Sequence, residues 1–430
     1  MPQLHQWWEP PVAELTLEAG SELLATTLAS AIAVRVERPG ALTADLSGGM
    51  DSTSLCFLLA EAGAKFEAYV EQTHDPNHDD AAWAREAAAS IGAPLTVLYP
   101  EQTPQPYDGL LSSDGGVLNP SSYNLSAPYS LIRNRVRKAS LAQRLHLGGA
   151  RTHIAGFGGD ELFTVAPAYF ADLYATSRIE AFRQIRASAS LRRWTWLSIA
   201  MTLSERQTYA GWLGEQARRT TNGANQSNRI SALTWGPPVS LPLWATYQAA
   251  ELVRERLAQA ALQSVPHGCD RATHAAVAGL RQGGNRLAPV RDLMASEGIA
   301  LSAPLMDDAV VTAALSVSKH VSTPGLAYKP VLREAMRRTT KHPVFGRSTK
   351  GEFTMSVQAG IDRNREPLAR LFGDSLLADL GYVDPGPLQQ AIRDGMRTAQ
   401  QSAALERTVA AETWLRAVDA SGRLAFGEGA

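Results

Sequence analysis

Cysteine is nearly missing from this chain: Cys56 and Cys269 are the two in 430 residues. Two thiols exclude a disulfide framework and a cysteine-built zinc site. An excess of either charge is missing too, since 41 basic residues meet 42 acidic ones for a formal net charge of −1. Such a chain lacks the basic footprint of a general nucleic-acid binder. The opening Met1-Pro2-Gln3-Leu4-His5 has neither the charged start nor the apolar run of a secretory signal. No apolar stretch reads as a membrane span, so a cytoplasmic protein without nucleic-acid or membrane partners is expected. The phosphate-loop pattern G-x-x-x-x-G-K-S/T is also absent.

What the chain does have is Ala44-Asp-Leu-Ser-Gly-Gly-Met-Asp-Ser-Thr53. The apolar stretch 41–46 runs into Ser47, Gly48, Gly49, Asp51 and Ser52, and a second apolar run, 55–60, follows at once. This reads as strand, glycine turn, helix. Glycines let the backbone approach a bound anion, and a new helix turns its free N–H groups toward the same point. A carboxylate in such a turn suits a divalent cation that bridges it to phosphates. The plainer reading of Asp51 is a helix cap. A second turn of the same kind, Gly156-Phe-Gly-Gly-Asp-Glu-Leu-Phe163, follows a short strand at 152–155. Two such loops, each giving an aspartate, would hold Mg²⁺ between Asp51 and Asp160 against ATP phosphates.

Around these loops the pattern is α/β. Residues 1–20, with Trp7, Trp8, Pro10 and Pro11, read as a lead-in that docks aromatics onto the body. From Ser21, Leu24, Leu28 and Ile32 recur at helical spacing. Strands are predicted over 66–71 and 95–99, and a helix over 81–91, with Asp79-Asp80 as its cap and Gly92 as its stop. Strands alternating with helices imply parallel βαβ units, with ligands beyond the carboxyl ends of the strands. Residues 100–128, rich in Pro, Ser, Gly and Asp, read as a long loop, and 131–147 as a helix. From Ala166 on, strand signals fade and 178–203, 243–262, 307–317 and 403–418 carry helical spacing. We therefore expect a lead-in at 1–20, a doubly wound parallel α/β domain at 21–165 and a mostly helical lobe at 166–430. Arg183, Arg186, Arg192 and Arg193, with Trp194 and Trp196, read as a solvated helix face with aromatic packing. Cys56 reads as a buried thiol. His74, His78 and His153 lack metal-ligand spacing and suggest nothing specific.

The pair S-G-G-x-D-S and G-x-G-G-D-E-L-F resembles the ATP pyrophosphatase superfamily and, within it, the asparagine-synthetase-type domain. Pro304, Met306 and Asp307 resemble that family's P-F-L-D segment, and Lys329-Pro-Val-Leu-Arg333 its K-x-x-L-R. Arg347-Ser-Thr-Lys-Gly351 with Phe353 resembles its basic segment more loosely. Leu46–Ser54, Gly159–Phe163 with Ala166–Phe170, Thr349–Gly351 and the Trp-Trp-x-Pro lead-in are most similar to lasso-peptide macrolactam cyclases. The resemblance implies an ATP pyrophosphatase (HUP-like) fold, ATP and Mg²⁺ as cofactors, and Lys350 as the cation at the reacting α-phosphate, assisted by Arg347 and Lys329. It also implies that Leu46 and Val70 flank the adenine through strand backbone, with Ser47, Gly48, Gly49, Ser52, Gly156 and Phe157 lining the nucleotide.

Two departures point away from asparagine synthesis. The family's glutaminase domain is not found, and Pro2 stands where its cysteine nucleophile is expected. Phe157 stands where asparagine synthetases carry a Glu that looks like a general base. The reading is an ATP-dependent ligase that adenylates an Asp or Glu side chain of a core peptide and joins it to that peptide's α-amine. A leader peptidase and a leader-recognition protein are its implied partners. The alternative is a small-molecule amide ligase, asparagine-synthetase-like or β-lactam-synthetase-like, using ammonia or an internal amine.

Overall fold

The computed structural model describes residues 6–422 apart from 74, 76–77, 120–125, 193, 206, 221–230, 323–327, 348–353 and 397. Five parallel strands form one sheet in the order β3-β2-β1-β4-β5. They are β1 (Ala41–Asp45), β2 (Phe66–Glu71), β3 (Leu95–Leu98), β4 (Ala150–Ile154) and β5 (Ala300–Ser302). From β1 the chain steps outward through β2 to β3, then returns to the other side of β1 for β4. The crevice between the carboxyl ends of β1 and β4 is therefore the switch point where an open α/β sheet takes its ligand.

Alternation along the strands sends side chains to two faces, and each face has its own core. Leu42, Ala44, Leu46, Ala68, Val70 and Ile154 pack on one side with α1 (Leu17–Val36), α2 (Met50–Glu61) and α3 (Asp80–Ile91). Tyr69, Leu98, Ala150 and Leu301 pack on the other with α4 (Arg135–Leu147) and helices from the chain's end, among them Ala399–Ala420. A third cluster, with Phe170, Ile185 and Ile199, belongs to the helical segment after β4.

The helix α1 begins at a Thr16 cap and fully buries Leu24, Leu28 and Ile32. Burial of side chains this size stabilises by about 1.5–3 kcal/mol each. By length and composition α1 could cross a membrane, contrary to the expectation that no stretch reaches that length. Its apolar stripe is instead buried against α2 and the helices Asp308–Leu315 and Pro330–Met336, and its last turn is tied down by Arg35, which grips Asp307 at 2.7 and 2.8 Å. Asp307 of the Pro304–Asp307 segment thus braces α1. In the lead-in, Trp8 Nε1 donates to Thr312 Oγ1 at 3.0 Å while Trp7 stays exposed.

Three local readings need correction. β5 comes from the segment where strand signals fade, because three residues are too short to show a period. The stretch 178–203 is two helices, Arg178–Arg192 and Trp196–Ser204, with Thr195 capping the second. Asp79 and Asp80 precede and begin α3, but Asp79 makes no side-chain cap bond. Both carboxylates turn to Arg347 instead.

Candidate functional site

The first loop is built by glycine at a forced position. Gly48 has φ +75°, and a Cβ there would lie 2.2 Å from the Asp80 carbonyl oxygen, so a side chain fails on conformation and on space. Ser52 Oγ takes the Ser47 N–H at 3.0 Å and lies 2.9 Å from Ser47 Oγ, closing the loop on the first turn of α2. Arg347 clamps it from outside: Nη1 donates to the Gly48 carbonyl at 3.1 Å and pairs with Asp80 at 2.7 Å, while Nη2 pairs with Asp79.

The second loop carries α5 (Gly159–Phe163) and lies directly on the first. A Cβ on Gly159 would be 2.2 Å from Asp51 Cγ. The missing side chain of Gly159 is the space in which the Asp51 carboxylate sits. Asp51 and Asp160 are thereby brought to one point, and Lys329 occupies it. Its Nζ donates to Asp51 Oδ1 at 2.7 Å and Oδ2 at 2.5 Å, and to Asp160 Oδ1 at 2.6 Å. The Lys329 side chain is 1% exposed. Burial alone would depress this ammonium, but Asp51 and Asp160 outweigh it and hold it above the ordinary lysine range. Lys329 has φ +47°, a strained left-handed conformation for a non-glycine residue. Beside it the Tyr328 hydroxyl donates to Asp160 Oδ1 at 3.4 Å.

A cleft of ≈ 390 Å³ opens at this point, lined from β1 and the first loop by Asp45, Ser47, Asp51 and Ser52 and from the second loop by Phe157, Asp160 and Glu161. Gly49, Gly156, Tyr328 and Arg347 also line it. Two carboxylates that meet on one ammonium supply the oxygen donors a hard divalent cation takes, so these residues fit Mg²⁺. Among the described residues no group of three or more His, Cys, Asp or Glu side chains could hold a metal alone.

Of the residues named from sequence, Ser47, Gly49, Asp51, Ser52, Gly156, Phe157, Asp160 and Arg347 line the cleft. Lys329 lies behind it, holding the aspartates. Leu46 and Val70 bury their side chains in the core, leaving only main chain at their strand ends. Lys350 lies outside the described residues, as does His74. Sequence reading missed Asp45 and Tyr328. The signal for Asp45 was a charged residue at the end of an otherwise buried strand. His153, set aside from sequence, is its partner: Nε2 meets Asp45 Oδ1 at 3.0 Å and Nδ1 meets Thr43 Oγ1 at 2.9 Å. Burial pushes Asp45 up, but His153 and then Lys138 outweigh that and hold it below the usual carboxylate range.

A parallel sheet with two glycine loops and paired carboxylates at its switch point is an α/β site suited to an anionic ligand and a divalent cation. The sequence from 23 to 416 matches the family described as asparagine synthase, and the chain belongs to that family. Among solved structures it is similar to the NMN synthetase from Francisella tularensis, at 15% identity and TM-score 0.23, over 35% of this chain and 58% of that one. It is also similar to the U34-tRNA thiolase NcsA from Methanococcus maripaludis, at 11% identity and TM-score 0.25, over 65% of this chain and 79% of that one. The match thus spans little more than half of the NMN synthetase's own length. Comparison with curated proteins finds no match.

Proposed function

We propose that this chain is a macrolactam synthetase. It adenylates an Asp or Glu side chain of a leaderless core peptide, with release of pyrophosphate. The peptide's own α-amine then attacks the acyl-adenylate and AMP leaves, closing the ring of a lasso peptide. Activation is needed because a carboxylate is a poor acyl donor, and holding both ends of one peptide in one cleft makes the attack effectively unimolecular. The observation that carries the reading is Phe157 in the cleft that the two aspartate loops enclose. An apolar ring where relatives use an acid fits a peptide amine better than ammonia, because the α-amine is already partly neutral near pH 7.

In this scheme residues 1–20 are a lead-in docked on the body, 21–165 supply the nucleotide loops, and 166–430 complete the site. Asp51 and Asp160 would hold Mg²⁺, which would supply positive charge against the phosphates. Ser47, Ser52 and the glycine-loop amides cradle the phosphates, and the main chain at Leu46 and Val70 borders the adenine. Lys350, three residues beyond Arg347, is assigned to the α-phosphate. The enzyme works in the cytoplasm beside a leader peptidase and a leader-recognition protein.

The test is a library of peptides with a free N terminus and one Asp or Glu at varying distance from it, incubated with ATP and magnesium. Mass spectrometry should find a product lighter by one water, and chromatography should find AMP and pyrophosphate. ADP as the main nucleotide, or asparagine made from glutamine or ammonia, would refute the assignment.

A further inference from the structure

The cleft contains four carboxylates, Asp45, Asp51, Asp160 and Glu161. Asp51 and Asp160 are held together on Lys329 at the phosphate end. Glu161 is turned away onto the helix Arg271–Ser296, with its side chain 3.5 Å from where a Cβ on Gly279 would be and 3.6 Å from one on Gly283. Asp45 remains. It ends β1 on the wall it shares with Phe157, and its side chain is 30% exposed.

The other side of Asp45 is supported from inside the sheet. His153 is 1% exposed on β4, on the face where it meets the Tyr69 ring edge-on. A buried polar ring costs stability unless its nitrogens are satisfied. Here one nitrogen is satisfied by Asp45 and the other by Thr43, which lies directly opposite His153 in the β1–β4 register. The Thr43 hydroxyl also reaches the Thr152 carbonyl at 3.2 Å, so the ring is fixed between a strand-bound hydroxyl on one side and Asp45 on the other. Further charges face Asp45 from β2 and α4: Glu71, paired at 3.0 Å with Arg137, and Lys138.

Building on the ligase reading, we infer that Asp45 seats the attacking α-amine and takes its proton, with His153 as the residue that positions the Asp45 carboxylate. The neutral amine's lone pair forms the C–N bond, and the C–O bond to the phosphate breaks with its electron pair on AMP. As the nitrogen becomes cationic in the adduct its N–H becomes strongly acidic, and that proton passes to Asp45 and then to water. A carboxylate of modest basicity suffices, because it need only accept from the adduct and not from the free ammonium. Asp45 thus supplies from the end of β1 the carboxylate that position 157 lacks.

Hydroxylamine separates this step from activation. It is neutral at pH 7 and intercepts an acyl-adenylate without help from a protein base, giving a hydroxamate. Using a peptide that the wild type converts, Asp45→Asn should lose far less of its hydroxamate and AMP formation than of its ring closure. It should lose macrolactam formation by on the order of 10²–10⁴-fold. Asp45→Glu should recover part of that loss, and His153→Gln should lose less and shift the pH profile of ring closure. Equal loss of hydroxamate and macrolactam in Asp45→Asn, or ring closure at the wild-type rate, would overturn the role of Asp45. Absence of hydroxamate from the wild type would overturn the adenylation reading itself.

Discussion

The Lys329 ammonium lies 2.7 and 2.5 Å from the two oxygens of Asp51, at the point where a metal ion bridging Asp51 and Asp160 would have to sit. One tethered cation therefore holds together two carboxylates that would otherwise repel each other. A free dication can enter only if this ammonium withdraws, and ATP phosphates give the ammonium somewhere to go. Metal should consequently bind poorly alone and well together with nucleotide. Lys329→Met removes the competitor. Its affinity for Mn²⁺ alone, read by electron paramagnetic resonance, should rise about tenfold or more, equivalent to ~1.4 kcal/mol. Magnesium should also raise its melting temperature more than that of the wild type. Equal Mn²⁺ affinity in the two proteins would show that lysine and metal do not compete.

Gly159 tests how tightly the loops must meet. A methyl group there would lie 2.2 Å from Asp51 Cγ, and Lys329 leaves that carboxylate no room to retreat. Gly159→Ala should cost about 1–3 kcal/mol in overpacking and lower turnover by about 10²–10³-fold through displacement of Asp51. Gly214 is the contrast, since nothing lies within 4 Å of the methyl it would gain in its helix. Gly214→Ala should stabilise by about 0.5–1 kcal/mol and leave turnover alone. Melting curves and kcat/KM for both variants decide the matter.

Arg347 was read from sequence as a cation near the reacting phosphate, and the structure makes it a clamp as well. Its side chain is 6% exposed, it pairs with Asp79 and Asp80, and it holds the Gly48 carbonyl. Arg347→Met leaves Asp80, itself 6% exposed, without this partner. Breaking a buried pair typically costs about 3–5 kcal/mol. We expect a loss in that range by denaturant titration, with a raised KM for ATP as the first loop loosens. Arg347→Lys should recover little, because a point charge cannot span three acceptors as a guanidinium fork does. A variant as stable as wild type would assign Arg347 to substrate alone.

The strands that reach the site were legible because glycine turns punctuate them: the reading over 66–71 coincides with β2, and that over 41–46 with β1 extended by one residue. The aspartates were legible because each opens a helix after such a turn. What stayed hidden depends on distant pairing. Asp45 and His153 meet only because Thr43 is in register with His153 across two strands more than a hundred residues apart. Lys329 reaches Asp51 across 278 positions, and no local pattern announces that its backbone is left-handed. Asp79 and Asp80 look like caps in isolation, and only the fold brings Arg347 to them.

Phe157 gives the pH dependence its sign. The attacking group must be neutral, and a peptide α-amine has an ordinary pKa of roughly 7.7–8.0, so about a tenth is neutral at pH 7. The ring-closing rate should therefore rise with pH and level off near the amine's own pKa. An apolar ring in the cleft favours the uncharged amine by desolvation and so offsets the pull of the Asp45 carboxylate toward the ammonium. Phe157→Glu would remove that offset and add a further negative charge beside Asp45, stabilise the bound ammonium and move the plateau upward by about one pH unit. At pH 7 that displacement leaves roughly a tenth of the neutral amine, so ring closure should fall about tenfold. Hydroxamate formation, which uses a nucleophile already neutral, should change little. Measuring both products from pH 6 to 9 separates the cases, and a several-fold gain in macrolactam from Phe157→Glu would mean that this cleft wants a base at position 157 after all.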